Sequence, residues 1–360
     1  MAHLSQEEIS DVLSQWGLGM RLDVTPATPN YRWLSMAEEE AKRLCAWHNE
    51  PVSFTFIATE EINAGAVPCP ALIVMAAGCF DFLCRLANTI VGKGIYTDID
   101  PRTASAVEDS DEQVEKTIRS ILKKQQWFAP DMVSWSRYSE KEGIFCFILL
   151  SLFRFVILHE MGHIVHRHGR RSHLSGQGYL LMDGIEQPTM ASDSILDSHA
   201  REIVADKTAM QLCHHLLEEQ FFILATYSDI KEFAHTYLGT EINRIKFLTQ
   251  IAYLYFAAID QFLVTPFEIG SVRSHPPAPF RAITIATTAV HGYEKDPRRT
   301  QVVQFLPPAE NMLAIAIGKR TNRQWLAQLL EDPRYEAHYR ALFDRVDRWS
   351  IVSQTVPRQR

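Results

Sequence analysis

Three things are scarce in this sequence, and each scarcity excludes something. The six cysteines (Cys45, Cys69, Cys79, Cys84, Cys146 and Cys213) include no CxxC pair, so a cysteine-type zinc knuckle has no support. Several sit among apolar neighbours, as in "GIFCFILL", and read as buried free thiols of a reducing cytosol. Positive charge is short: 36 Lys and Arg face 43 Asp and Glu, for a net charge of −7. That argues against a nucleic-acid binder, which needs a concentrated basic face for phosphates. Long apolar runs are missing too. "IFCFILLSLF" (Ile144–Phe153) stops at Arg154 and "FLTQIAYLYFAAIDQFLV" (Phe247–Val264) carries Gln250, Asp260 and Gln261. A membrane span needs about twenty apolar residues, so both read as buried core helices. The polar start "MAHLSQEEISDVLSQWG" reads as no signal peptide. A soluble, cytoplasmic protein is expected.

What is present describes an ordinary globular chain. At 360 residues, 46% of them hydrophobic, it can bury one large core. Helices are expected at about 6–16 and 36–47, the second opened by a capping box of Ser35 and Glu38. "VSFTFIA" (Val52–Ala58) and "ALIVM" (Ala71–Met75) read as strands. Further helices are expected at about 80–90, 111–125, 143–168, 200–219 and 242–264. Residues 170–198 read as a loop or lid, and 280–360 as mostly helical. No repeat, low-complexity tract or flexible linker stands out. The fold class is helix-rich α+β with a small N-terminal sheet layer.

One short stretch carries the chemistry. "LHEMGHIVHRHG" (Leu158–Gly169) places four histidines directly after the apolar run. His159 and His163 are four apart, so on a helix they lie on one face, one turn from each other. They can offer two imidazole nitrogens to one zinc while Glu160 projects beside them toward a water. An apolar helix rarely buries two histidines and a glutamate without a partner for them. His166 does not extend the motif, because a metzincin has glycine at that position and its third histidine where Gly169 stands. His166, His168 and His173 therefore read as a solvated basic helix end.

A third ligand is expected from another helix. "AREIVADKTAM" (Ala200–Met210) supplies Glu202 and, one turn on, Asp206. Glu202 can reach the metal while Asp206 accepts a hydrogen bond from a ligating histidine and fixes its tautomer. Asp193, Asp197 and His199 are the rivals, without a partner so well spaced.

Three blocks in order, HEMGH, EIVAD and "SHPPAPFR", resemble a known set. HExxH with a downstream ExxxD is similar to the gluzincin peptidases. HPPxxxR resembles a segment shared by HtpX-type and prenyl-protein zinc peptidases and by the Lit-like phage-exclusion peptidases. The Lit-like family is the nearest likeness for a chain without spans. The likeness covers about 71–283, and the last eighty or so residues lie outside it.

The resemblance implies one Zn²⁺ per chain on His159, His163 and Glu202, with Asp206 behind them and Glu160 as catalytic base. Arg281 and His275 are implied as oxyanion donors. It divides the chain into an N-terminal helical segment (1–50), a gluzincin-like zinc peptidase core (51–285) and a C-terminal helical extension (286–360), packed as one unit. The implied activity is a cytoplasmic endopeptidase acting on a protein substrate, a translation factor in the Lit-like case, in phage exclusion and under an activating trigger. A membrane-associated HtpX-like protease and a zinc-stabilised regulatory protein without hydrolysis are the alternatives.

Overall fold

The computed structural model describes residues 3–105, 107, 109–123, 139–171, 181–182, 192–226, 229–262, 276, 281–282, 284–286, 306–318 and 333–350. Helix α1 (Gln6–Trp16) opens on a capping box, Ser5 accepting from the Glu8 backbone and Glu8 accepting from the Ser5 backbone. The second helix begins earlier than its expected capping box. Helix α2 (Tyr31–Cys45) leaves Asn30, and the Ser35 hydroxyl donates to the Arg32 carbonyl inside the helix. Tertiary packing sets that start: Leu34 is buried and Trp33 meets the Phe145 ring edge-on at 5.2 Å.

Strands β1 (Ser53–Ile57) and β3 (Ala71–Ala76) lie where the sequence pattern puts them and run parallel. Between them in the chain is β2 (Ala64–Pro68), which pairs antiparallel with β3 across a two-residue Cys69–Pro70 connection. "AGAVP" has little strand propensity of its own. It is a strand because both edges are paired, the second by the two-residue β4 (Leu181–Met182), giving the order β1-β3-β2-β4. β4 comes from the stretch expected to be loop.

Helices α3 (Ala77–Gly92) and α4 (Asp111–Leu122) follow, α4 capped by the Ser110 hydroxyl. Next come α5 (Ser139–Val165), α6 (His168–Arg171), α7 (Ser192–Leu224), α8 (Lys231–Leu238), α9 (Glu241–Phe262), α10 (Leu306–Ile317) and α11 (Pro333–Trp349). Helix α7 starts eight residues before the expected Ala200, so that stretch is not loop either. The result is helix-rich α+β. Its main apolar cluster runs from Ile9 in α1 to Ile317 in α10.

Helix α5 is the axis on which the site is built. Among the described residues it alone is long and apolar enough to cross a membrane, yet 89% of its most apolar window is buried inside the protein. An apolar helix without a polar face must be enclosed, and α2, α3, α7, α9 and the sheet enclose this one. Phe153 lies among Phe54, Phe56 and Phe80 at centroid distances of 6.1, 6.4 and 5.9 Å. Such ring pairs contribute about 0.5–1.5 kcal/mol each beyond the burial of their area. Arg154, the interruption in the run, donates to Glu40 of α2 at 2.5 Å and Gln220 of α7 at 2.8 Å. It ties three helices rather than facing water.

Helices α5 and α7 approach closely at the motif. A β-carbon on Gly162 would stand 2.9 Å from the Ala205 Cα and 3.2 Å from its carbonyl oxygen. Only glycine lets the two backbones come this near. Helix α11 also packs on α7, where Leu342, Val346 and Trp349 join Ala200, Ile203 and Val204 in a separate cluster.

Candidate metal centre

The α5–α7 contact brings His159, His163 and Glu202 together, all buried. The Nε2 atoms of His159 and His163 are 3.1 Å apart. Glu202 Oε2 is 3.2 Å from His159 Nε2, and Glu202 Oε1 is 3.4 Å from His163 Nε2. Nitrogen and oxygen ligands at 2.0–2.1 Å from one tetrahedral ion stand roughly 3.3 Å apart, so these edges match a shared cation. Two ring nitrogens facing each other next to a carboxylate either share a hydrogen-bond proton or turn both lone pairs toward a cation. The residues present fit a metal ion.

Each histidine is held from behind. Nδ1 of His159 meets Asp206 Oδ1 at 2.8 Å. Asp206, fully buried, receives a fork from Arg281: Nε donates to Oδ2 at 2.8 Å and Nη2 to Oδ1 at 2.9 Å. Burial alone would raise the Asp206 carboxyl, but Arg281 and then His159 outweigh it and hold it below the usual carboxylate value. Burial likewise pushes His159 down, and the hydrogen bonds and charges of Asp206 and Glu202 reverse this, leaving its proton affinity well above that of ordinary imidazole. At His163 burial outweighs the charge and hydrogen bond of Glu202, and the pKa is lowered. Asp206 and Glu202 thus favour a positive charge at His159, whether a proton or a metal ion.

The remaining expected residues fall as follows. Glu160 is 2% exposed on α5, next in sequence to His159. Arg281 is buried, committed to Asp206, with its guanidinium 4.4 Å from the Phe256 ring centre. It stands behind a histidine, where the resemblance implied an oxyanion donor. His275 and His173 lie outside the described residues. Among the rivals, Asp197 is engaged by Arg345 and by the Trp349 indole, and His199 Nδ1 is 3.2 Å from His338 Nε2. Asp193 lies in α7, its side chain outside the described residues.

The expectation of a solvated histidine end is corrected. His166 is 8% exposed with Nε2 at 2.9 Å from the Thr208 hydroxyl, and His168 is 0% exposed. The helix stops at Val165 and the chain turns at Arg167, φ 55, so that His168 folds back onto His163. It lies among the rings of His163, His166 and Trp349, at centroid distances of 5.0, 5.6 and 5.9 Å. Trp349 is 181 positions along the chain, and no local signal in the sequence announces the contact.

The chain matches no family model, no curated protein and no solved structure.

Proposed function

We propose that this chain is a zinc-dependent endopeptidase of the gluzincin type, similar to the Lit-like peptidases. The observation that carries the reading is the buried His159–His163–Glu202 triangle with Glu160 in the same helix turn. Two imidazoles and one carboxylate are the donor set of a hydrolytic zinc site with a position left over, whereas structural sites close all four positions and favour thiolates. His159, His163 and Glu202 hold the ion, and Asp206 with Arg281 fixes the His159 ring. A bound zinc supplies Lewis acidity toward a water and a peptide carbonyl.

Glu160 is the base in this account. Its carboxylate takes a proton from the attacking water and returns it to the leaving amine, so no net proton is consumed on the enzyme. Arg281 is a positioning residue rather than an oxyanion donor. The substrate is a protein or peptide, by resemblance a translation factor cut during phage exclusion in the cytoplasm under an activating trigger.

Glu160→Gln tests this reading. The amide keeps the shape of the side chain but cannot accept the proton, so the variant retains zinc and fold and loses proteolysis. Full proteolysis in Glu160→Gln overturns Glu160 as the base, and a zinc-bound wild type that cleaves nothing overturns the peptidase reading and leaves a zinc-stabilised regulatory protein in its place.

A further inference from the structure

The second ligand, His163, has a partner that the three motifs do not contain. Its Nδ1 lies 2.8 Å from Nδ1 of His168. The other nitrogen of that ring, Nε2, lies 3.4 Å from the backbone carbonyl of Trp349. Trp349 is the last residue of α11, and last-turn carbonyls have no acceptor role left inside their own helix. Helix α11 is fixed in that position by the helix that carries Glu202. The Trp349 indole donates to Asp197 at 3.2 Å, the Arg201 guanidinium lies 5.1 Å from its ring centre, and Leu342 and Val346 pack on Ile203 and Val204.

These contacts favour one arrangement of the protons. A carbonyl only accepts, so the His168 proton is on Nε2 and its Nδ1 presents a lone pair. Across 2.8 Å, His163 must then carry its own proton on Nδ1. The lone pair of His163 Nε2 is thereby turned toward His159 and Glu202. The opposite tautomer would set a proton on His163 Nε2, in the space where the three ligand atoms converge, and would leave His168 Nε2 facing the carbonyl with no proton between them.

We propose that His168 is the positioning residue for the ligand His163, and that the C-terminal helix α11 completes the metal centre by fixing the His168 tautomer through the Trp349 carbonyl. The inference rests on the metal-centre reading above and adds to it a role for the part of the chain outside the resemblance. It gives the two ligating histidines matched supports: Asp206 and Arg281 behind His159, His168 and a helix-end carbonyl behind His163. Outer partners of this kind commonly change metal affinity 10–100-fold when removed.

The test uses the full-length protein and competition with a chromophoric chelator for Zn²⁺, with the visible spectrum of the Co²⁺-loaded protein as a second signal. His168→Phe keeps a ring against Trp349 but has no nitrogens; His168→Asn can place a carboxamide oxygen near the Nδ1 position. The expected result is zinc held about 10–100-fold more weakly in His168→Phe, with a shifted Co²⁺ spectrum, and both properties largely recovered in His168→Asn. Should His168→Phe not fold, His168→Leu carries the same expectation. Zinc held as tightly in the Phe or Leu variant as in wild type overturns the inference. So does an equal loss in the Phe and Asn variants with a matching fall in metal-free melting temperature, which marks a packing role. A wild-type chain that binds neither ion overturns the metal-centre reading itself, and this inference with it.

Discussion

Arg281 forks onto Asp206 with two donors, at 2.8 and 2.9 Å, while the same carboxylate holds His159 Nδ1 at 2.8 Å. All three side chains are buried, so the order Arg281–Asp206–His159 is a fixed chain leading to the metal ligands. Removing Arg281 leaves the buried Asp206 carboxylate with His159 as its remaining partner, and breaking a buried pair in this way costs about 3–5 kcal/mol. Arg281→Ala is therefore expected to lower the melting temperature sharply and weaken zinc retention as well. Arg281→Lys recovers only part, since an ammonium cannot supply two parallel donors. Thermal melts and chelator competition on both variants check this. Wild-type stability in Arg281→Ala would return the residue to the oxyanion role implied by resemblance.

Gly162 gives a second expectation. Its missing β-carbon is what allows α5 to lie against Ala205, and a methyl there must push backbone, not a flexible side chain. Gly162→Ala is expected to lose about 1–3 kcal/mol, the usual range for overpacking. It should also loosen zinc, because His159 and His163 are on one side of the widened contact and Glu202 is on the other. Urea denaturation and zinc affinity measured together check both halves. A gain in stability, as an exposed helical glycine would give, contradicts the close approach.

Acid sensitivity should trace in part to Glu40. Burial raises its carboxyl, but the hydrogen bond from Arg43 and the charges of Arg154 and Arg43 outweigh this, and the net shift is downward. A carboxylate with a depressed folded pKa gives stability that is present above its unfolded value, about 4.3. That stability is lost as pH falls through the lower folded value, because the unfolded chain takes up the proton first. The urea midpoint of wild type should thus decline from about pH 4.3 downward, and Glu40→Gln should be less stable at neutral pH with a flatter acid limb. Parallel acid limbs in the two proteins would remove Glu40 from the account.

The thiols should separate by burial. All six cysteines are free, and Cys69 alone is exposed. Burial pushes Cys45 and Cys213 up to about 12 and Cys146 to about 11, and Cys84 is raised as well. Because the thiolate is the reactive form, a thiol reagent at pH 8 is expected to label Cys69 rapidly in the native protein and the others only on unfolding. Peptide mapping after brief labelling checks the order; equal labelling of Cys84 and Cys69 would contradict the packing around α3.

Local signals carried the sequence reading as far as they reach. The boundaries of α1 agree with expectation because Ser5, Glu8 and Gly17 mark both ends within a few residues. His159, His163, Glu202 and Asp206 were legible because four-residue helical spacing is itself the geometry of the site. What stayed hidden is non-local. Arg281 reaches Asp206 across 75 positions, and the first turns of α7 are held by Arg345 and Trp349 through Asp197. "AGAVP" became a strand through its partners. His168 reads as solvated since Gly169 and two arginines follow it, and its burial involves Trp349 of α11, a contact no local pattern shows.

The central claim is that His159, His163 and Glu202 share one zinc ion. Metal content of the purified full-length chain, measured by elemental analysis beside Glu202→Ala, tests it most directly. About one zinc per chain in wild type and little in Glu202→Ala is the expected result for a two-histidine, one-carboxylate site. A wild-type protein without zinc, or Glu202→Ala with a full complement, would contradict it.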